Sequence, residues 1–295
     1  MNSLTLPNSL VSVDWLKHNC SHPQLVILDA SSHMPGTPRD AHQEWQEQHI
    51  AGAKFFDFNN KICDTHSPLP HMLPSAEIFT HEAQALGINQ DSIIVIYDSL
   101  GIFSAPRAWW MFSVMGHQQC AVLDGGLPEW LAQGGTTESH TEEKDLTPNT
   151  ISTGNFSAHL QVDKVKNKAQ ILAAIANNDI IIIDARSKER FDGLAEEPRK
   201  GLISGHIPSS KSLPFTELLT NGKMKPTAQL KRLLDEKVTG KTELYSSCGS
   251  GVTACIITFA AHLAGFKQLA VYDGSWCEWG QPELDLPIDT YADIK

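Results

Sequence analysis

Cys248 lies in a segment whose residue types and spacing could form a nucleophilic site. It follows residues 243–245, which we interpret as the end of a strand, and it precedes an apolar, helix-compatible stretch over residues 252–264. Gly249 and Gly251 give the intervening loop access to backbone angles that other residues resist. A cysteine just before a helix N-terminus lies within a curl of backbone N–H groups, which favours the thiolate, and the thiolate is the nucleophile.

Two chemistries suit such a cysteine, phosphate ester chemistry and sulfur transfer, and the structural alternative is a small buried cysteine. Cysteine phosphatases need an arginine six positions after the cysteine to clamp the phosphoryl oxygens, and Ala254 stands at that position. The loop itself contains no Lys or Arg. We therefore expect a less charged substrate whose anionic end is held by residues outside the loop.

The segment Cys248–Ala254, with the sequence CGSGVTA, resembles the active-site loop of 3-mercaptopyruvate sulfurtransferases, which belong to the rhodanese superfamily. Thiosulfate sulfurtransferases are similar, but they usually carry basic residues where Gly249 and Ser250 stand here. The resemblance implies that Cys248 is the nucleophile that carries sulfur, and that Ser250 takes part in catalysis. The remaining loop residues expected to contact the substrate are Gly249, Gly251, Val252 and Thr253.

Two arginines outside the loop are candidates for holding the substrate's anionic end. Arg190 and Arg199 lie nine positions apart in a polar loop after the apolar segment 180–184. Loops beyond the carboxyl ends of parallel strands bind ligands, and guanidinium groups match carboxylates bidentately. In the family that the chain resembles, an arginine in an Arg-Phe-x-Gly segment and a second one nine positions later bind the substrate's carboxylate and carbonyl. No substrate role is expected for Arg186, Lys188 and Lys200.

A histidine in the first half of the chain completes the set of candidates. The segment His71-Met72-Leu73-Pro74 resembles the family segment whose histidine reaches the active site, so His71 is expected to act on Ser250 or on the substrate carbonyl. The alternative is a structural histidine in a proline-rich loop. The family often has an acidic relay partner a little upstream. Asp64 is the candidate, but Asn59 is the best-matching position, and this departure weighs against a Cys-Ser-His-Asp relay.

The chain contains a tandem duplication, because four segments recur in the same order. The pairs are 25–30 with 180–185, 48–53 with 205–210, 93–97 with 242–245, and 123–130 with 272–279. Within each half, continuous apolar strands alternate with helical stretches, which indicates a parallel sheet covered on both faces. The predicted helices are 75–86, 106–115, 167–176 and 227–234, the last with Thr227 as its N-cap.

We therefore predict an α/β protein with two tandem rhodanese-like domains. Residues 1–140 form a non-catalytic N-terminal domain, 141–158 a polar linker, and 159–295 the catalytic domain. An ungapped alignment of Asp124 with Asp273 places Ser99 opposite Cys248, so the first half has lost the thiol and serves as a scaffold. The alternative for the first half is a second, hydroxyl-based site.

Bulk properties exclude several classes of partner. The chain has 295 residues and a net charge of −11, which argues against nucleic acid and anionic membranes as partners. The N-terminus lacks the features of a signal peptide, and no apolar run approaches the length needed to span a bilayer. The six cysteines show neither zinc spacing nor a CxxC pair. We expect a cytoplasmic protein.

The resemblance also implies a reaction. Sulfur would pass from 3-mercaptopyruvate to Cys248 as a persulfide, with release of pyruvate, and then to a thiol such as that of reduced thioredoxin, or to cyanide. No metal or organic cofactor is expected. Two alternatives stay open: a thiosulfate sulfurtransferase with the same fold, and a non-catalytic sulfur-carrier or binding module.

Overall fold

The structure is a computed structural model that describes residues 4–140 and 153–291. The chain divides into two compact units, and part of the predicted linker, residues 141–152, lies outside the described residues. The described residues of the first unit are 4–65, 73–140, 153–160 and 221–223, and those of the second are 66–72, 161–220 and 224–291.

The strands are short, and β5 and β9 consist mostly of buried apolar side chains, as expected for a parallel sheet whose faces are covered. The strands are β1 (Leu10–Val11), β2 (Leu25–Asp29), β3 (His49–Ile50), β4 (Lys54–Phe55), β5 (Ile93–Tyr97), β6 (Cys120–Leu123), β7 (Thr137–Glu138), β8 (Val165–Lys166), β9 (Ile180–Asp184), β10 (Lys211–Ser212), β11 (Leu219–Thr220), β12 (Lys223–Met224), β13 (Glu243–Ser247) and β14 (Leu269–Tyr272).

Helices connect these strands along the chain. They are α1 (Val13–Asn19), α2 (Ala41–Glu47), α3 (Ala76–Ala85), α4 (Ala105–Val114), α5 (Gly126–Ala132), α6 (Lys168–Ile175), α7 (Lys188–Phe191), α8 (Thr227–Val238), α9 (Ala254–Leu263) and α10 (Ser275–Trp279). In α9 every residue from Ala254 to Ala261 is buried, which explains why this helix is apolar on all sides.

Each unit contains a five-stranded parallel sheet flanked by helices, which confirms the predicted α/β class with two domains. The order in the first unit is β1-β6-β5-β2-β4, and the order in the second, read from its other edge, is β8-β14-β13-β9-β10. The two orders correspond strand for strand, as a tandem duplication requires. In both units the segment that follows the central strand, β5 or β13, leads into a long helix, α4 or α9.

The predicted helices are present, but the capping residue of α8 differs from the prediction. Thr227 is the first helical residue, Pro226 is the N-cap, and no side chain caps this end. Thr227 was expected at the cap because threonine is common there, whereas the extended Pro226 takes that position. By contrast, Asn167 caps α6 in a reciprocal capping box with Gln170.

The sheet register corrects the internal alignment at the nucleophile. Asp29 pairs with Tyr97 in the first sheet, and Asp184 pairs with Ser247 in the second. The residues that follow Tyr97 and Ser247 are Asp98 and Cys248, so Asp98 and not Ser99 corresponds to Cys248. The ungapped alignment was wrong here because the first loop is one residue longer: α4 begins seven positions after Asp98, and α9 begins six positions after Cys248.

Candidate functional site

Cys248 lies at the carboxyl end of the central strand of the second sheet, where parallel sheets bind ligands. It directly follows β13 and is 2% exposed. The N-terminal residues of α10 hold the loop that it opens, since Trp276 N–H donates to the Cys248 carbonyl (3.0 Å) and Cys277 N–H donates to the Gly249 carbonyl (2.8 Å). The backbone on both sides of the cysteine side chain is therefore fixed by hydrogen bonds.

Ser275 also holds the nucleophile in place, and sequence reasoning missed this role. Its Oγ accepts the Cys248 N–H (3.2 Å) and donates to the Tyr272 carbonyl (2.8 Å). Ser275 is fully buried and has a left-handed φ of 48°, which is rare for a residue with a side chain. The equivalent residue in the first half is Gly126, with φ of 53°. In the sequence, the signal that could have identified this residue is a serine at the position where the first repeat has Gly126.

The first unit demonstrates what this type of loop can bind. The Asp98 Oδ2 atom accepts hydrogen bonds from the backbone N–H groups of Phe103, Ser104 and Ala105, at 2.8, 2.9 and 2.9 Å. Its Oδ1 atom accepts the N–H of Leu100 at 3.0 Å. The loop and the first turn of α4 thus surround a carboxylate supplied by the chain itself.

The second unit has a comparable helix start after Cys248. The helix α9 begins at Ala254, so the N–H groups of Val252, Thr253 and Ala254 lack partners within the helix. By position relative to the helix start, these groups correspond to the three that bind Asp98 in the first unit.

Arg190 lies close to this loop, and its role in binding the substrate stays a prediction. It belongs to α7, and its Nε donates to Glu197 Oε1 (3.1 Å), while its Nη2 donates to Glu197 Oε2. A Cβ atom added to Gly249 would lie 3.1 Å from Arg190 Nη2. The guanidinium group therefore lies close to Gly249, and a side chain at that position would require it to move by a few tenths of an ångström.

Arg186, for which no substrate role was expected, is a buried anchor of the same region. It donates to both oxygens of Asp184, to Glu197 Oε1 (2.8 Å) and to the Gly205 carbonyl (2.8 Å), and it stacks 4.1 Å from the centre of the Trp276 ring. Burial lowers the pKa of Arg186, but the two carboxylates outweigh burial and raise it above its ordinary value. Its first-half counterpart is Ser31, which makes no such network possible there.

Arg199 and His71 lie together within the second unit. Arg199 Nη2 is 3.5 Å from His71 Nε2, and both residues are half-buried. Burial raises the pKa of the nearby Cys277 thiol to about 11, with Arg199 opposing the rise and Cys248 adding to it. Arg199 and Cys248 thus shift the pKa of Cys277 in opposite directions.

The other predicted residues fall into two groups. Ser250 is half-buried, two residues after Cys248, while Gly251, Val252 and Thr253 are buried in the turn that leads into α9. Asp64 is half-buried and belongs to the first unit. Its part in a relay stays a prediction.

Asn59, the best-matching position for the relay acid, has its own partner. Its side-chain amide donates to Ser32 Oγ at 3.1 Å. The two lysines for which no substrate role was expected lie at the surface. Lys188 is exposed and pairs with Asp192 at 2.7 Å, and Lys200 is exposed.

Two further features concern other parts of the described residues. A cavity of about 740 Å³ in the first unit is lined by Trp45, His49 and Lys54 among others, and contains none of the predicted site residues. Within residues 4–140 and 153–291, no group of three or more His, Cys, Asp or Glu side chains could hold a metal ion, and no helix is long and apolar enough to cross a membrane.

The chain is similar to known proteins over most of its length. A family model for the rhodanese-like domain matches residues 12–133 and 167–282. The chain is 43% identical over 306 residues to the mitochondrial thiosulfate/3-mercaptopyruvate sulfurtransferase 1 of Arabidopsis thaliana, covering 98% of this chain and 80% of that protein. It is 41% identical to the 3-mercaptopyruvate sulfurtransferase of Mus musculus, covering 93% and 94% of the two chains. The crystal structure of SseA from Escherichia coli, described as a 3-mercaptopyruvate sulfotransferase, matches with a TM-score of 0.80 and 36% identity, covering 91% of this chain and 99% of that chain.

Proposed function

We propose that this chain, which belongs to the rhodanese-like family, transfers sulfur from 3-mercaptopyruvate to an acceptor through a persulfide on Cys248. The main support is the position of Arg190, whose guanidinium group lies against Gly249, beside the nucleophile. This position puts a cation within reach of a substrate carboxylate, while the loop around the sulfur carries no charged side chain.

In the proposed complex, Arg190 and Arg199 hold the substrate by its carboxylate and its ketone oxygen. Arg190 retains donors beyond those that Glu197 accepts, since a guanidinium has five N–H groups. The substrate thiol then points toward Cys248.

The first half-reaction breaks the C–S bond of the donor. The Cys248 thiolate attacks the substrate sulfur, an S–S bond forms, and the electron pair of the C–S bond remains on the carbon as an enolate of pyruvate. Cations beside the ketone oxygen stabilise that enolate. A proton delivered by Ser250 or His71 converts it to pyruvate, and Cys248 is left as a persulfide. Asp64 is proposed as the acid that assists His71.

In the second half-reaction an acceptor removes the outer sulfur. A thiolate, such as that of reduced thioredoxin, or cyanide attacks this sulfur, the S–S bond breaks, and the Cys248 thiolate is restored. Because the enzyme is modified covalently between the two steps, ping-pong kinetics are expected. The chemistry needs no metal or organic cofactor. A cytoplasmic location stays a prediction, because one relative is named as mitochondrial.

A thiosulfate sulfurtransferase is the second candidate, since the name of the Arabidopsis relative includes thiosulfate. Thiosulfate is a compact dianion, whereas Gly249 and Ser250 add no cation beside the nucleophile. This composition favours mercaptopyruvate. Side-by-side measurement of kcat/KM for the two donors distinguishes the candidates, and a higher value for thiosulfate would reverse the assignment.

The test of the nucleophile is Cys248→Ser. We expect it to abolish turnover and to prevent the gain of one sulfur atom that mass spectrometry detects after exposure to mercaptopyruvate. Cys20→Ser is the matched control, because Cys20 is exposed, and it should retain activity and take up sulfur. Substantial turnover by Cys248→Ser would refute the mechanism, and a wild-type protein that gains no sulfur would indicate a binding module instead.

A further inference from the structure

Glu197 lies between two arginines and contacts both. Its Oε1 atom accepts hydrogen bonds from Arg186 Nη1 (2.8 Å) and Arg190 Nε (3.1 Å), and its Oε2 atom accepts one from Arg190 Nη2. The Glu197 side chain is 2% exposed, and that of Arg186 is fully buried. A buried carboxylate shared in this way fixes the planes of both guanidinium groups, since charge-assisted bidentate pairs are strongly directional.

The fixed arginine is the one that lies against the cysteine loop. Arg186 is itself immobilised by Asp184 and by the Trp276 ring, so the chain Asp184–Arg186–Glu197–Arg190 runs from the end of β9 to Gly249. The Arg190 side chain is 17% exposed and its position depends on Glu197 as its partner. Glu197 therefore determines where the Arg190 guanidinium group lies relative to Cys248.

The same network determines the charge beside the nucleophile. Two carboxylates, Asp184 and Glu197, match two guanidinium groups, Arg186 and Arg190, so the formal charge of the network is zero. Arg199 is not part of it, because its polar contact is with His71. The site proposed for the sulfur donor thus contains two arginines. The network compensates the charge of Arg190, whereas Arg199 lies outside the network.

We propose that Glu197 is a positioning residue that makes the site selective for a monoanionic sulfur donor over a dianionic one. The inference rests on the proposed function. Glu197 directs Arg190 toward a carboxylate and cancels its charge, so the site matches the single charge of a mercaptopyruvate-like α-keto acid. A compact dianion such as thiosulfate would bring one negative charge more than the site compensates.

The kinetic test uses three variants. Glu197→Gln keeps the shape of the side chain and removes its charge, whereas Glu197→Asp keeps the charge and shortens the side chain. Glu196→Gln is the control, because it makes the same charge change at the exposed neighbouring residue. For Glu197→Gln we expect the thiosulfate to mercaptopyruvate ratio of kcat/KM to rise about five- to tenfold. For Glu197→Asp we expect kcat/KM to fall for both donors while their ratio stays the same. For Glu196→Gln we expect no change in kcat/KM for either donor. If Glu197 has a purely structural role, Glu197→Gln should lower kcat/KM equally for both donors, and this result would overturn the proposal.

A binding measurement separates this inference from the proposed function. In the Cys248→Ser background, which cannot turn over, titration calorimetry gives the Kd values of pyruvate, a monoanion, and of thiosulfate, a dianion. Adding Glu197→Gln should strengthen thiosulfate binding relative to pyruvate binding by a similar factor. If wild type fails to turn over mercaptopyruvate but the Kd ratio shifts, the function is wrong and the inference holds. If turnover is present and the ratio does not shift, or if neither anion binds, the inference is wrong.

Discussion

Asp98 and Cys248 occupy the same position in the two domains. Each directly follows the central strand of its sheet, and each carbonyl accepts an N–H at 3.0 Å, from Leu127 in the first domain and from Trp276 in the second. In the first domain the backbone donors of the following loop bind a carboxylate that the chain supplies. In the second domain a cysteine stands at the start of the corresponding loop. The two domains thus share the strand–loop–helix scaffold and differ in the side chain at this position.

Loss of either arginine that is proposed to bind the substrate should weaken turnover. Charge-assisted hydrogen bonds are worth about 1.5–3 kcal/mol each, so Arg190→Ala or Arg199→Ala should lower kcat/KM for mercaptopyruvate by about tenfold to a hundredfold. Lys188→Ala is the control, because the Lys188 side chain is 66% exposed, and it should have little effect. Steady-state kinetics of the three variants would contradict the assignment if all three behaved alike.

Because Arg190 lies close to Gly249, the effect on activity of substituting one of these residues should depend on the other. A methyl group at position 249 would lie 3.1 Å from Arg190 Nη2, so the guanidinium group must move by a few tenths of an ångström. Gly249→Ala should lower kcat/KM for mercaptopyruvate about three- to tenfold. In an Arg190→Ala background the same change should cost nothing further. Equal effects in both backgrounds, measured as a double-mutant cycle, would refute this coupling.

Asp29 should make the stability of the protein depend on pH. Burial raises the pKa of Asp29 from 3.8 to about 6, and hydrogen bonds from Ser31 and Tyr97 offset this only in part. The folded state therefore holds a proton that the unfolded state releases. The favourable contribution is complete below about pH 4 and is lost as the pH rises through 6, by on the order of 3 kcal/mol.

Asp29→Asn removes this titration. The free energy of unfolding of Asp29→Asn, minus that of wild type, should increase between pH 4 and pH 7, as measured by denaturant unfolding at several pH values. The exposed Asp14→Asn should show no comparable trend. Parallel curves for wild type and Asp29→Asn would show that the carboxyl group does not titrate in this range.

Ser275 should affect stability in two opposite ways, because its hydrogen bond stabilises the folded protein and its left-handed backbone destabilises it. Ser275→Ala leaves the Cys248 N–H without its acceptor, which costs about 1–3 kcal/mol for a buried group. Ser275→Gly loses the same bond but relieves the left-handed backbone, so it should be more stable than Ser275→Ala by about 1 kcal/mol. Thermal unfolding of both variants gives the comparison. Identical stability of the two variants would mean that the backbone at this position is not strained.

The sequence by itself determined the local features of the protein. Runs of aliphatic residues, such as residues 180–183, predicted strands of the parallel sheets, because such sheets are covered on both faces. The recurrence of four segments predicted the duplicated α/β architecture. The Gly-rich loop after Cys248 and the spacing of Arg190 and Arg199 depend on neighbours along the chain, and they identified the candidate site and the family resemblance.

Only the tertiary structure decided how these pieces combine. The ungapped alignment missed Asp98 because strand register depends on hydrogen bonds between strands, which an insertion in one loop does not alter. No sequence pattern identifies Arg186 and Glu197 as partners, and burial beside the end of β9 and Trp276 brings them into one network. Ser275 reaches the Cys248 backbone across 27 positions of sequence. Such pairings arise because packing brings together residues that no local pattern relates.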